Sequence, residues 1–221
     1  MNNCYLDAEA VITFFRMTGR KHIFITGSRG SGKSHLVNNM LKHMSDSFNL
    51  LQSHRTDTPQ VVIKSNLVAD NKEFVIGVPR TSGINPASKG NNMTIIEDGF
   101  INCAIPAIDT HLDTTPERLF VIDELGYLES SCIPFQKAVE KLLDNSHVLA
   151  VIRKQSTEFL NRICNRKDVL VIDIDNTFET LSCIIMASGM SKRFGSNKLI
   201  TDFNGRSLFE NVVSISHFAG F

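Results

Sequence analysis

Apolar residues recur along this chain at two spacings, and the changes of spacing mark its elements. Over 6–18 they repeat every three or four positions, predicting an amphipathic helix that ends near Gly19. Residues 22–26, "HIFIT", form a short continuous apolar run, the pattern of a strand buried on both faces of a parallel sheet. Helical spacing then returns, with Leu36, Val37, Met40, Leu41 and Met44 on one face of a second helix. Between 48 and 105 the period is broken. There "QVVIKSNLVA", "EFVIGV", "MTIIED" and "FINCAI" read as short strands divided by turns rich in Asn, Asp and Gly. Regular alternation resumes with strand 119–123, helix 132–144, strand 147–152, helix 156–165 and strand 169–173. After the connection "DNTFETLS" comes one more strand, 183–187. Strands alternating with helices predict an α/β fold with a mainly parallel sheet and helices on both faces.

The junction of the first strand and the second helix carries the clearest chemistry. "GSRGSGKS", residues 27–34, fits the phosphate-loop pattern G-x-x-x-x-G-K-[ST] completely. Glycines at 27, 30 and 32 let the backbone curl so that successive N–H groups point inward at phosphate oxygens. The helix starting near Lys33 adds its positive end. Candidate nucleotide-binding residues are therefore Gly27, Ser28, Arg29, Gly30, Ser31, Gly32, Lys33, Ser34 and His35. Lys33 is also a catalytic candidate, because it can reach the β- and γ-phosphates, and the Ser34 hydroxyl can complete a Mg²⁺ shell.

Such a loop needs a metal-binding carboxylate at the end of a neighbouring strand. "RLFVIDELGYLES" supplies Asp123 for the Mg²⁺ shell and Glu124 to orient or deprotonate the attacking water. An internal acid of this kind favours hydrolysis of ATP, GTP or another nucleoside triphosphate. The chain has no Asn-Lys-x-Asp element to read guanine. Two other readings stay open: a phosphate-loop kinase of a small acceptor, and a binding module regulated by nucleotide.

"IFITGSRGSGKSHLV", "LFVIDELGYLES", "PFQKAVEKLLDNSHVLAVI" and "FLNRICNRKDVLVIDID" resemble, in that order, the small P-loop nucleoside-triphosphatase family that includes human cancer-related nucleoside-triphosphatase. The Asp-Glu-Leu-Gly element with Glu129 shortly after it is the most specific piece. The resemblance implies a RecA-like P-loop fold, Mg²⁺-dependent hydrolysis of NTP to NDP and phosphate, and loose base selectivity. The family's glycine- and arginine-rich hairpin has no clear counterpart within 48–105, so Arg55 and Arg80 are read as solvated rather than charge-stabilising. Arg153 and Lys154 stand either as contacts to a γ-phosphate or as a surface basic pair.

A second signature follows. "MASGMSKRFGSNK" is similar to the glycine-and-basic loop of nucleotidyltransferases, above all the branch that attaches CMP or GMP to molybdopterin, with Gly189, Ser191, Arg193, Gly195 and Lys198 in place. "DFNGRSLFENVV" continues that resemblance, Gly205 preceding an amphipathic helix. It implies only the first βα unit of that fold, without the metal-binding acids. The expected organisation is an N-terminal helix (1–19), a P-loop nucleoside-triphosphatase domain (20–180) and a truncated nucleotidyltransferase-like segment (181–221). Molybdenum-cofactor enzymes, or the rest of the transferase, become expected partners.

Totals narrow the setting. With 23 basic and 23 acidic residues, no overall field draws the chain to nucleic acid or to an anionic membrane. The five cysteines are scattered without CxxC spacing, as expected for reduced thiols. No apolar run approaches the roughly 18 residues of a membrane span, and the N-terminus lacks the basic start of a secretory signal. The expected location is cytoplasmic. Residues 183–221 are expected to show no transferase activity; CMP or GMP transfer to molybdopterin by this chain would overturn that.

Overall fold

The computed structural model describes residues 7–44, 47–80, 93–176, 199–203 and 205–218. Helix α1 (Ala8–Thr18) starts where the Asp7 carboxylate accepts the Ala10 N–H at 3.1 Å and stops at Gly19 in the left-handed region. It is followed by β1 (His22–Gly27) and α2 (Lys33–Met44). Next come β2 (Phe48–Arg55), β3 (Val61–Ser65), β4 (Phe74–Pro79) and β5 (Met93–Ile95). A helical stretch runs from α3 (Glu97–Gly99) through a π-helical turn, Phe100–Ala104, into α4 (Ile105–Thr114). Then β6 (Leu119–Leu125), α5 (Ile133–Asn145), β7 (His147–Arg153), α6 (Glu158–Cys164) and β8 (Val169–Asp173) alternate.

The eight strands form one sheet in the order β5-β4-β3-β2-β6-β7-β1-β8. Strands β2, β6, β7, β1 and β8 are parallel, while β3, β4 and β5 extend the sheet as an antiparallel meander. The sheet is thus mixed, mostly parallel, and covered on both faces. Ile23, Ile25, Val121 and Leu149 pack under α1 and α2, whereas Phe24, Phe120, Ile122 and Ala150 pack under α4, α5 and α6. Period-2 alternation along each strand produces this division.

One expectation from the broken stretch needs correcting, and one strand there went unforeseen. "FINCAI" is helical: Phe100, Cys103, Ala104, Ala107, Ile108 and His111 are all fully buried, at helical spacing. Pro106, which looks like a breaker, directly follows the π-helical turn Phe100–Ala104 inside the continuous helical stretch. The strand β2 was not expected at all. "FNLLQSHR" lacks β-branched residues and mixes polar with apolar, yet it pairs in parallel with β6 near the middle of the sheet.

A buried polar network anchors β2. Asn49 Nδ2 donates to His111 Nδ1 at 2.8 Å and to Thr115 Oγ1 at 2.8 Å. His111 Nε2 then donates to Ser146 Oγ at 2.7 Å, and Ser146 donates to the Pro116 carbonyl at 2.8 Å. Every member is satisfied with His111 neutral, and burial lowers its pKa accordingly.

Past the sheet, β9 (Asp202–Phe203) and β10 (Arg206–Ser207) pair antiparallel and lead into α7 (Leu208–Phe218). Ser207 Oγ accepts the Glu210 N–H at 3.1 Å and the Glu210 carboxylate accepts the Ser207 N–H at 2.8 Å, a capping box. The expected strand 183–187 and the nucleotidyltransferase-like loop lie outside the described residues. Among the described residues no helix is long and apolar enough to cross a membrane.

His22 makes the fold's stability sensitive to pH. It is fully buried, its Nδ1 accepts the Val148 N–H at 3.2 Å, and burial, opposed by Asp168, lowers its pKa from 6.5 to about 4. As pH falls below 6.5 the unfolded chain takes up the proton first, so stability should fall between pH 6.5 and 4, by about 3 kcal/mol. Urea denaturation at steps across that window tests this, and a flat profile would contradict it.

Candidate active site

The C-terminal ends of the parallel strands meet at one edge of the sheet, where open α/β sheets bind ligands. Register decides which residues arrive there: Gly27 lies opposite Arg153, Thr26 opposite Asp173, and Gln52 opposite Asp123. At the end of β1 the chain leaves the sheet as the expected loop and enters α2 at Lys33. Gly30 and Gly32 take φ of 77° and 93°, which other residues rarely adopt. Gly27 is needed for a different reason: a Cβ there would lie 2.7 Å from Ile174 Cγ1 and 2.8 Å from Ser31 Oγ.

Side chains hold the loop in shape. Lys33 Nζ donates to the Gly27 and Ser28 carbonyls at 2.9 and 2.8 Å, and Ser31 Oγ donates to the Ser28 carbonyl at 2.7 Å. From the end of β8, the Asp175 carboxylate accepts the Ser28 N–H at 2.7 Å and the Ser28 hydroxyl at 3.0 Å. His35 lies on the first turn of α2, 3.1 Å from Asn39.

A cavity of about 790 Å³ opens over this edge. Its wall includes Gly27, Ser28, Arg29, Gly30, Gly32, Lys33, Ser34 and His35, together with Asp123 and Glu124. Ser31 alone among the sequence candidates is not in the wall. Asp123 sits 3.4 Å from Ser34 Oγ and accepts from Gln52 Nε2, also at 3.4 Å. Burial pushes its carboxyl up, against the pull of Gln52 and Ser34. Glu124 accepts from the Arg153 guanidinium at 2.9 Å.

Adjacent strand residues ordinarily face opposite ways. Here the β6–β7 pairing slips between Asp123 and Leu125, and both acids border the same cavity. One sequence expectation changes: the carboxylate strand does not neighbour the loop strand, because β7 lies between them. That arrangement brings Arg153, at the end of β7, between the loop and Glu124. Lys154 bonds Asp173 at 2.8 Å and Asp175 at 3.0 Å, so it ties the end of β7 to the segment that holds Ser28. Arg55 lines the cavity, whereas Arg80, at the end of β4, is exposed and not part of the wall.

Gln52, Tyr127 and the pair Asp173 and Asp175 were not singled out from the sequence. The two aspartates had a signal, since they follow an apolar strand at the edge where ligands bind. Gln52 had none, because β2 itself was missed. Among the described residues no three His, Cys, Asp or Glu side chains group as metal ligands.

Known proteins share this architecture. The chain is similar to nucleoside-triphosphatase THEP1 of Thermotoga sp. (strain RQ2), 26% identical over 155 residues, which span 69% of this chain and 86% of that protein. It is 23% identical over 154 residues to nucleoside-triphosphatase THEP1 of Thermotoga maritima, spanning 69% and 86%. The fold matches that of THEP1 from the hyperthermophile Aquifex aeolicus with a TM-score of 0.55, at 18% identity and over 70% of this chain and 91% of that one. It also matches a human cancer-related nucleoside triphosphatase with a TM-score of 0.53, at 20% identity and over 72% and 92%. The model of the NTPase family matches residues 22–182, from β1 to just past β8, and the chain belongs to that family.

Proposed function

We propose that this chain hydrolyses nucleoside triphosphates to the diphosphate and phosphate, with Mg²⁺ and with loose choice of base. The observation that carries this is the meeting of a complete phosphate loop with Ser34, Asp123 and Glu124 around one cavity. Relatives named nucleoside-triphosphatase cover most of the same stretch. In this reading the loop amides and Lys33 hold the phosphates. Ser34 and Asp123 would hold Mg²⁺: both offer hard oxygen donors, and their 3.4 Å separation keeps them together on the loop side. A single carboxylate suffices, since Mg²⁺ usually takes one or two besides phosphate and water. When bound, the ion offsets charge on the phosphate oxygens. Glu124 accepts the proton of the attacking water as its oxygen bonds to the γ-phosphorus and the β–γ bridge breaks. Arg153 bonds Glu124 and lies opposite Gly27 of the loop.

Past Glu124 the cavity continues to Arg55, Val61, Met93 and Tyr127. That space favours a second reading, transfer to a small acceptor, which would show as turnover that speeds up only with the acceptor present. The division at about 180 and the molybdenum-cofactor setting rest on the signature at 183–198 and on the helix after Gly205. A cytoplasmic location rests on the scattered thiols.

Phosphate release from ATP, GTP and CTP tests the reading. Glu124→Gln should lower kcat by about 10²- to 10⁴-fold while nucleotide still binds, and Lys33→Ala should lose binding and turnover together. Full turnover by Glu124→Gln would remove that residue from its role. Chelating Mg²⁺ should stop release, and Asp123→Asn should raise the Mg²⁺ concentration needed for half-maximal rate; an unchanged requirement would take Asp123 out of the metal shell.

A further inference from the structure

The turn after β6 holds a carboxylate with no part in the hydrolysis scheme. Glu129 is only 5% exposed, and its Oε2 accepts the Gly126 N–H at 2.9 Å. Burial pushes its carboxyl up, opposed by backbone amides and by the charge of Arg153. The other end of Gly126 is also held, for its carbonyl accepts from the Ser130 N–H at 3.0 Å and from the Ser130 hydroxyl at 2.6 Å. Ser130 in turn lies 2.9 Å from the Thr157 hydroxyl at the start of α6. One glycine thus has both its polar groups fixed by the next turn of chain.

Arg153 lies against that glycine. A Cβ placed on Gly126 would sit 3.4 Å from Arg153 Cδ, 3.5 Å from Arg153 Nε and 3.5 Å from Glu129 Oε2. The arginine stem and the buried carboxylate therefore flank the same point, and beyond it the guanidinium bonds Glu124 at 2.9 Å. A long arginine at a strand end has several rotamers open to it. A fixed, flat surface on one side and a carboxylate beside it restrict that choice. A buried carboxylate persists where amides and a cation compensate it, and Glu129 has both.

We propose that Glu129 is a positioning residue, which with Gly126 seats Arg153 and through it fixes Glu124. This rests on Glu124 being the group that activates water. Glu129 borders the same cavity, and its part in this proposal is to act through Arg153.

A double-mutant cycle on phosphate release tests it, using Glu129→Gln, Arg153→Gln and the pair. Glu129→Gln keeps an oxygen for the Gly126 amide and removes only the charge. It should lower kcat by about tenfold to a hundredfold and leave KM nearly unchanged. The pair should be no slower than Arg153→Gln alone, since a seat has no effect once its occupant is gone. Losses that multiply, or a wild-type rate for Glu129→Gln, would overturn the proposal. Should Glu129→Gln not fold, Ser130→Ala takes its place, because it removes one of the two hydrogen bonds on the Gly126 carbonyl without changing charge. Glu124→Gln is measured beside them: its full turnover would remove the hydrolysis scheme and the proposal together, while its inactivity with multiplying losses would remove the seat alone.

Discussion

Parallel pairing is the constraint from which this site follows. Strands β2, β6, β7, β1 and β8 all run toward one edge, and their registers bring Gln52 level with Asp123, Gly27 level with Arg153, and Asp173 level with Thr26 just before the loop. In each pair the two residues are far apart in sequence. A slip of one residue in any pairing would turn that strand's side chains to the opposite face. The hydrophobic clusters above and below the sheet prevent it, since a slip would bring the apolar set of each strand to the wrong helices. The core therefore serves chemistry indirectly, by choosing which polar residues surface together.

The charges at that edge are already engaged with one another. Lys33 bonds loop carbonyls, Lys154 bonds two aspartates, and Arg153 bonds Glu124. A triphosphate arriving here meets in Lys33 a cation that exchanges carbonyl oxygens for phosphate oxygens, while Arg153 stays on Glu124. Exchange of this kind needs little reorganisation, which is what a preorganised electrostatic site requires. Asp175 has a distinct part: by taking the Ser28 N–H and hydroxyl it braces the outer limb of the loop from the neighbouring strand.

What the sequence disclosed depended on how local each feature is. The phosphate loop is contiguous, and its glycines, lysine and serine can be read without knowing the fold. Asp123 and Glu124 end an apolar strand and were legible for the same reason. The β2 strand was not, because its burial comes from neighbours on both sides and not from its own β-formers. The helix through Phe100 was misread since Gly99 and Pro106 look like punctuation, although each suits the position it holds in a helix. The Arg153–Glu124 bond joins two strands 29 residues apart, and only their pairing reveals it. For residues 183–198 the signature alone speaks, as they lie outside the described structure.

The network around His111 has a consequence for the opposite end of the same strand. Asn49 lies three positions before Gln52, and both pair with β6, Asn49 opposite Phe120 and Gln52 opposite Asp123. If β2 slid along β6 by one residue, Asn49 would leave His111 and strand a buried imidazole without its donor, a cost that apolar packing alone would not impose. The polar contact at the base of β2 thus works as an index mark. It tells a strand of ambiguous hydrophobicity where to stop, and so keeps an amide beside the carboxylate at the far edge.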